Sequence, residues 1–282
     1  MGIPYFPGCT LHVKAKELDD STRAALAALG VELAELPEWT CCGTVFPLAQ
    51  NNYMGMVASA RILSNAAKQG DGRLVTVCSF CYHVLKRVNF AIKNNDEART
   101  KLKEYLEEDY DGGLSLLHPL ELLRDEVGFD ALRNRVGERL KGVKVACYYG
   151  CMLSRPAREM DFGAPENPTI MEEFVEALGA EPVDFPGKTK CCGSYQVLNE
   201  HELVAGRVKD IFKAASLCGS QVIITSCPLC RFNLDTFGEA ENRSKIPVLY
   251  FTQLLGIALE IPIDRLGLAG QDGDPKPLLR EA

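Results

Sequence analysis

The chain has 282 residues, 46% of them hydrophobic and 24% charged. These are enough apolar residues to form a buried core without disulfide bonds. Its formal net charge of −7 gives no support to nucleic-acid binding, and no apolar run approaches the roughly 20 residues that span a bilayer. Residues 1–5 show no basic region followed by an apolar stretch, so we expect no signal peptide. We therefore expect a cytoplasmic protein whose cysteines are free thiols rather than a disulfide framework.

The first half of the chain alternates predicted strands and helices. An apolar run, 3–8, predicts a strand ending next to Cys9, and a helical stretch follows that closes on Ala-Ala-Leu-Gly-Val-Glu at 27–32. The triplet Cys41-Cys42-Gly43 comes next, and a second predicted strand, 73–77, precedes Cys78-Ser79-Phe80-Cys81. A charged segment, 94–109, predicts a solvated helix. The half ends in a strand that runs into Leu-Leu across 114–123.

The second half repeats this order. Its first predicted strand, 143–150, ends next to Cys151, and the helical stretch after it closes on Glu-Ala-Leu-Gly-Ala-Glu at 176–181. Cys191-Cys192-Gly193 follows, then a strand at 222–225 and Cys227-Pro228-Leu229-Cys230. A strand running into Leu-Leu at 248–255 ends the repeat. The tail 267–282, rich in Gly, Pro and charge, is expected to be mobile or to lie on a partner surface.

This duplication predicts an α/β fold of two tandem, pseudo-symmetric domains, 1–141 and 142–282, the second carrying the C-terminal tail. Each domain should contain a small, mostly parallel sheet with flanking helices, because strands alternate with helices along the sequence. The cysteines follow predicted strands. They should therefore lie at the carboxyl ends of the strands, where α/β folds place their sites.

Ten of the twelve cysteines fall into the two copies. The single Cys and the pair are separated by 31 residues in the first copy and 39 in the second, and the pair and the C-x-x-C by 35 and 34. Such a repeat marks a duplicated metal or cluster site. Structural zinc and a [4Fe–4S] cubane each take four ligands, one fewer than each copy offers. A polynuclear cluster with a bridging thiolate would use all five, and zinc with a spare cysteine remains an alternative.

Four glycines flank these cysteines in matching places: Gly8 and Gly150 before the single Cys, Gly43 and Gly193 after the pair. A residue without Cβ lets backbone approach a bulky inorganic core, and its amide can hydrogen-bond cluster sulfur. We predict that they contact the cofactor. Ordinary turn glycines are the alternative interpretation.

The motifs resemble the cysteine-rich CCG family, and most closely the B subunit of heterodisulfide reductase. Besides the cysteine blocks, the resemblance rests on Tyr-Tyr-Gly-Cys-Met-Leu-Ser-Arg-Pro at 148–156 and Glu-Asn-Pro at 166–168. It covers nearly the whole chain and implies two noncubane [4Fe–4S] clusters. Carried over residue by residue, the first would be held by Cys9, Cys41, Cys42, Cys78 and Cys81, and the second by Cys151, Cys191, Cys192, Cys227 and Cys230.

The resemblance further implies that the chain is the catalytic subunit of a complex in which a small disulfide is cleaved between the two clusters. Electrons would arrive from an iron–sulfur protein and a flavoprotein, similar to the C and A subunits of heterodisulfide reductase, since the chain contains no nucleotide-binding G-x-G-x-x-G after a strand. An electron-relay subunit without disulfide chemistry is the main alternative, and a zinc-stabilised assembly module is a third. The identity of the substrate stays open.

Disulfide reduction consumes two protons, so His12 and His83, which follow cysteine ligands closely in sequence, are candidate proton donors. A packing or hydrogen-bonding role is the alternative for both. Cys147 and Cys218 have no counterpart in the first copy, and buried packing is the expected role of each. Five basic residues near the second copy are candidates for anion binding or simply solvated charges: Arg155, Arg158, Lys188, Lys190 and Arg231.

Overall fold

A computed structural model describes residues 2–238 and 246–268. It contains two four-stranded sheets in which every pair is parallel, ordered β2-β1-β3-β4 and β6-β5-β7-β8. The identical strand orders confirm the α/β prediction of two pseudo-symmetric halves. The strands are β1 (Ile3–Tyr5), β2 (Leu33–Glu35), β3 (Arg73–Val75), β4 (Ser115–Leu117), β5 (Lys144–Cys147), β6 (Glu181–Pro182), β7 (Val222–Thr225) and β8 (Val248–Tyr250).

Helices flank both sheets. In the first half they are α1 (Cys9–Val13), α2 (Lys16–Ala28), α3 (Phe46–Ala49), α4 (Tyr53–Ala67), α5 (Ser79–Asn94), α6 (Asp96–Leu106), α7 (Pro119–Leu122) and α8 (Phe129–Arg133). In the second they are α9 (Ala157–Met160), α10 (Ile170–Ala177), α11 (His201–Leu217), α12 (Pro228–Gly238) and α13 (Phe251–Ala258). A π-helical turn covers Leu123–Val127, and 3₁₀ turns cover Ser194–Leu198 and Ile263–Leu266.

The central strands form because their residues suit a sheet that is covered on both faces. β7 is Val-Ile-Ile-Thr and all four residues are buried, as expected for parallel strands between helical layers. β1 and β3 are neighbours, with Tyr5 paired to Val75, and β5 and β7 are neighbours in the same way. The loops that leave adjacent central strands therefore meet at one edge of each sheet.

The sequence pattern missed two of the four edge strands, β2 and β6. Each follows the helix that closes on the matching Leu-Gly phrase, and each is only two or three residues long. Their residues are partly or fully exposed, so no apolar run marks them. Pairing with the central strand, rather than local propensity, makes these residues extended.

The charged segment 94–109 is helical as predicted, with α6 at Asp96–Leu106. Its exposed charges leave a buried stripe of Ala98, Leu102 and Leu106, which packs against α4 and α5. Most of the tail predicted at 267–282 lies outside the described residues. Within the described part of the chain, no helix is long and apolar enough to cross a membrane.

The two halves share one core. Helix α13 of the second half packs on α2 of the first, and α10 packs on α7 and α8, so one hydrophobic cluster runs from Ile3 to Leu268. A second, smaller cluster lies between β7, α11 and α12. The sheets lie on either side of residue 141, but the domain boundary there stays a prediction because the packing crosses it.

Candidate metal centre

The first cysteine set lies at the carboxyl edge of the first sheet. Cys9 is the first residue of α1, directly after β1, and Cys78 caps α5 directly after β3. Cys81 lies in the first turn of α5, and the loop after β2 brings Cys41 and Cys42 to the same edge. Cys42, Cys78 and Cys81 are buried, whereas Cys9 and Cys41 are exposed. The sheet thus brings together all five cysteines that the sequence singled out.

The five sulfurs of this set form a continuous chain of contacts. Cys9 Sγ lies 3.8 Å from Cys41 Sγ. Cys41 is hydrogen-bonded to Cys42, Cys42 to Cys81, and Cys81 to Cys78. The order along the chain of sulfurs is therefore Cys9, Cys41, Cys42, Cys81, Cys78.

The second set repeats this chain of contacts at the equivalent edge of the second sheet. Cys151 is hydrogen-bonded to Cys191, Cys191 to Cys192, Cys192 to Cys230, and Cys230 to Cys227. Every link matches the corresponding link of the first set. Two loop systems of different length, 31 and 39 residues between single Cys and pair, thus converge on one arrangement of thiols.

Hydrogen bonds among the thiols raise the pKa of some of them and lower that of others, such as Cys42, whose pKa the bonds to Cys41 and Cys81 lower to about 3. Hydrogen bonds to Cys42 and Cys78, followed by burial, raise the pKa of Cys81 well above its usual value. Hydrogen bonds to Cys192 and Cys227, followed by burial, raise the pKa of Cys230 in the same way. Five adjacent thiolates repel one another and need a compensating positive charge. A metal centre supplies that charge, so its binding would release protons.

Two glycines make room for the second sulfur of the C-x-x-C motif in each set. A Cβ on Gly8 would lie 2.8 Å from Cys81 Sγ, and one on Gly150 would lie 3.0 Å from Cys230 Sγ. Both glycines have positive φ, 81° and 66° respectively. Any other residue would be strained there and would meet the cysteine sulfur. The matching contacts show why both copies place Gly before the single Cys.

Backbone amides point at the sulfurs of each Cys-Cys pair. Gly193 N donates to Cys191 Sγ and Ser194 N donates to Cys192 Sγ, both at 3.4 Å. Gly43 and Thr44 donate in the same way to Cys41 and Cys42. Such donors stabilise negative charge on sulfur and tune cluster potentials.

The residue after each Cys-Cys-Gly triplet was not among those that the sequence singled out. Thr44 and Ser194 both have positive φ, 69° and 51°, which is uncommon for residues with a Cβ. The signal that marks them is that both copies carry a hydroxyl residue at this place. A further overlooked contact is made by Asn233 of α12, whose Nδ2 lies 3.4 Å from Cys192 Sγ.

These features fit an iron–sulfur centre better than a single zinc ion. The donors are five soft thiols per set, with glycine cradles and amide donors to sulfur around them. Within residues 2–238 and 246–268, no three His, Cys, Asp or Glu side chains converge on one point as a single bound ion requires. The sulfurs contact one another in succession, which suits ligands spread over several iron atoms.

A cavity of about 370 Å³ opens beside the first set, between the two halves of the chain. All five cysteines of the first set line it, whereas the five cysteines of the second set lie outside it. From the second half it takes Tyr195, Tyr250 and five residues of α12, namely Pro228, Leu229, Arg231, Phe232 and Asp235. The cavity therefore gives a ligand access to one set directly.

The two sets nevertheless approach each other closely. Ser79, next to Cys78, and Ser226, next to Cys227, are fully buried, and their hydroxyls are 2.6 Å apart. Tyr195 lies between the sets: its ring packs edge-on to Phe80 with centroids 5.4 Å apart. Burial raises the pKa of Tyr195, and cysteines of both sets raise it further. The interface between the halves thus joins the two candidate centres.

The two candidate proton donors lie outside the cavity. His12 is on the surface, where its Nε2 lies 3.3 Å from Glu35 Oε1 and its ring packs edge-on to Trp39. His83 is buried, with Nδ1 3.0 Å from Met152 O, so it contacts the loop of the second set although it follows Cys81 in sequence. Burial lowers the pKa of His83. Proton donation by either histidine stays a prediction.

The five basic residues near the second copy separate into different environments. Arg155 pairs with Glu166 and reaches Thr189 O, and Lys188 binds Glu172 and Pro168 O. Arg231, by contrast, lines the cavity of the first set, so helix α12 carries it across to the other centre.

The two remaining cysteines lie outside both chains of sulfurs. Cys147 is fully buried in β5, and Cys218 caps α11, where its Sγ lies 3.0 Å from Asp184 O. Cys147 therefore has the buried packing role expected of it, whereas Cys218 is only partly buried, so the expectation of buried packing is wrong for Cys218.

Comparison with known proteins gives the same duplication. The cysteine-rich domain family, CCG, matches residues 3–86 and again residues 145–235. The chain is 32% identical over 272 residues to the 8-methylmenaquinol:fumarate reductase membrane anchor subunit of Wolinella succinogenes, covering 94% of both chains. It is 30% identical over 282 residues to the B subunit of the ferredoxin:CoB-CoM heterodisulfide reductase of Methanosarcina mazei, covering 94% of this chain and 92% of the relative.

A solved structure shares the fold. The crystal structure of a hypothetical protein from Helicobacter pylori superposes with a TM-score of 0.67 at 15% identity, covering 96% of this chain and 51% of that one. At this identity the likeness supports the architecture alone.

Proposed function

The chain belongs to the cysteine-rich CCG family, and on that basis we propose that it is the catalytic iron–sulfur subunit of a heterodisulfide reductase-like complex. In this proposal each set of five cysteines holds one noncubane [4Fe–4S] cluster, and a small disulfide is reduced at the interface between the halves. One observation carries the proposal: the same five-sulfur chain is built twice, and the serines next to Cys78 and Cys227 contact each other between the two copies.

The reaction would be RSSR + 2e⁻ + 2H⁺ → 2 RSH. A cluster on each set would supply single electrons and an electrophilic iron at which thiolate character is stabilised. The reductant would be a partner iron–sulfur protein, similar to the C subunit of heterodisulfide reductase, which receives electrons from a flavoprotein similar to the A subunit. This agrees with the relative from Methanosarcina mazei, whose name pairs ferredoxin with a heterodisulfide.

The chain's own residues would hold and orient the disulfide. The cavity between the halves gives one sulfur of the substrate a path to the first set. Tyr195 and Phe80 form an aromatic wall between the two sets, which would keep water away from the reacting sulfurs. Excluding water strengthens electrostatic stabilisation of the thiolate that develops there.

The cofactor assignment is tested by metal analysis and one matched pair of variants. Anaerobically purified protein should contain about eight irons and an equal amount of acid-labile sulfide. Cys42→Ser, which removes a buried link of the first chain of sulfurs, should lower both by about half. Cys218→Ser, outside both sets, should leave them unchanged. Tightly held zinc without sulfide would refute the assignment.

The reaction is tested on the same protein. After reduction by dithionite, mixing with a small disulfide should release two thiols per disulfide and reoxidise the centres. Cys42→Ser and Cys192→Ser should each abolish thiol release, because each removes a ligand from one of the two centres. Normal thiol release by either variant would contradict a mechanism that uses both sets.

An electron-relay subunit is the second candidate function. It is favoured by the cavity, which reaches the first set but is not lined by any cysteine of the second. A relay could receive electrons through one centre and exchange them with a bound redox partner, such as a quinol, at the other. If reduced protein is reoxidised by a quinone but never by disulfides, and added thiols leave its spectrum unchanged, the relay function replaces the disulfide proposal.

A further inference from the structure

Apart from the five cysteines, the lining of the cavity is largely apolar. Its large apolar side chains are Phe80 and, from the second half, Tyr195, Pro228, Leu229, Phe232 and Tyr250. Phe232 is 54% exposed although it is a large aromatic side chain on a helix that buries most of its other apolar residues. Apolar walls with a few polar groups are typical of small-molecule sites, and about 370 Å³ lies at the small end of their range.

The charges around the cavity are balanced. Among the described residues that line it, two are basic, Lys14 and Arg231, and two are acidic, Glu17 and Asp235. Arg231 is 5% exposed, its Nε forms an ion pair with Asp235, and its guanidinium lies 5.4 Å from the centre of the Tyr250 ring. An arginine paired in this way offers an incoming anion little uncompensated positive charge.

We propose that this cavity binds an uncharged, apolar substituent of the substrate, of about the size of a single ring, and discriminates against anionic substituents. This rests on the proposed function, because it assigns the cavity to one arm of the disulfide. An anionic arm would lose its hydration against an apolar wall whose described charges cancel, and that desolvation is costly. An apolar arm would bury its surface against Phe232, Leu229 and Phe80 and so be favoured.

The test compares two thiols that differ by one charge. Benzyl mercaptan and 4-(mercaptomethyl)benzoate share the ring and the thiol, and only the second carries a carboxylate. Calorimetric titration of the anaerobic holoprotein should show benzyl mercaptan binding at least about tenfold more tightly, since one uncompensated carboxylate costs on the order of a factor of ten or more. Equal or tighter binding of the benzoate overturns the inference, and so does the absence of binding by both thiols.

Variants of the wall sharpen the comparison. Asp235→Asn removes the negative charge that neutralises Arg231 and should reduce the ratio of the two affinities that favours the neutral thiol. Asp96→Asn, on exposed α6, should leave that ratio unchanged. Phe232→Ala should weaken benzyl mercaptan binding severalfold, while Leu217→Ala, which removes a 79% exposed leucine from α11, should not. If Asp235→Asn fails to fold, Glu17→Gln provides the same change of charge. An unchanged preference in the folded charge variant overturns the inference.

The absorption spectrum of the metal centre, recorded in the same titrations, separates this inference from the proposed function. Preferential binding of benzyl mercaptan with a changed spectrum supports both. Preferential binding without any spectral change supports the cavity's selectivity and contradicts contact between substrate sulfur and the first centre. A spectral change with equal affinities supports the proposed function and refutes the selectivity.

Discussion

Gly8→Ala should damage the first centre through a single methyl group. Gly8 has φ 81° and ψ 160° at the start of α1, a backbone region that costs other residues about 1–3 kcal/mol. The alanine also lowers the conformational entropy of the unfolded chain, which stabilises the folded protein by about 0.4–1 kcal/mol. The new Cβ would also lie 2.8 Å from Cys81 Sγ, and such overpacking typically costs about 1–3 kcal/mol. The sum is a loss of about 2–5 kcal/mol in the free energy of unfolding.

The chain offers a closely matched control for the backbone part of this loss. Gly128 has φ 81° and ψ 129° at the start of α8, another five-residue helix, but a Cβ there would meet no atom of the described residues within 4 Å. Gly128→Ala should therefore cost only about 1–2 kcal/mol, the strain less the entropic gain. The difference between the variants measures the contact with Cys81 sulfur.

The assay is anaerobic urea unfolding of both variants together with iron and sulfide content. Gly8→Ala should lose about 2 kcal/mol more than Gly128→Ala, because Cys81 must move. It should also retain about half of the iron, since only the first set is disturbed. Equal losses of stability, or full iron content in Gly8→Ala, would refute the argument that glycine is required here to make room for the sulfur.

The remaining predictions concern the interface and the pH dependence of stability. Ser226→Ala removes the buried hydroxyl contact with Ser79 and should lower the free energy of unfolding by about 1–3 kcal/mol. The control Ser115→Ala, at an exposed strand position, should change the free energy of unfolding by less than about 0.5 kcal/mol. Equal urea midpoints for the two variants would contradict this. Burial lowers the pKa of His118 to about 3, below the value of about 6.5 in the unfolded chain. The stability that neutral His118 contributes is therefore fully present above about pH 6.5 and declines as the pH falls toward 3, by about 1.4 kcal/mol between about pH 7.5 and about pH 5.5. His118→Asn should remove that part of the pH dependence, and an unchanged slope would show that His118 takes up a proton while folded.

The sequence by itself determined the repeat and the residues that carry it. Spacing alone paired each cysteine of the first half with one of the second, and the apolar runs before Cys9, Cys78, Cys151 and Cys227 placed all four at strand ends. This was possible because strands buried on both faces are continuous apolar runs. Matching glycines beside the single Cys and the Cys-Cys pair of each copy indicated backbone close to a centre, and all four glycines have positive φ.

Other features depend on contacts between residues that are far apart in the sequence, so only the tertiary structure decided them. The edge strands β2 and β6 are extended only because β1 and β5 offer them hydrogen bonds. His83 follows Cys81 by two residues, yet the direction of its side chain on α5 sends it to Met152 beside the other set. Arg231 follows Cys230, yet helix α12 carries it into the cavity of the first set. Distance along the chain predicts which residues share a loop, but the packing of one half on the other decides which centre a side chain meets.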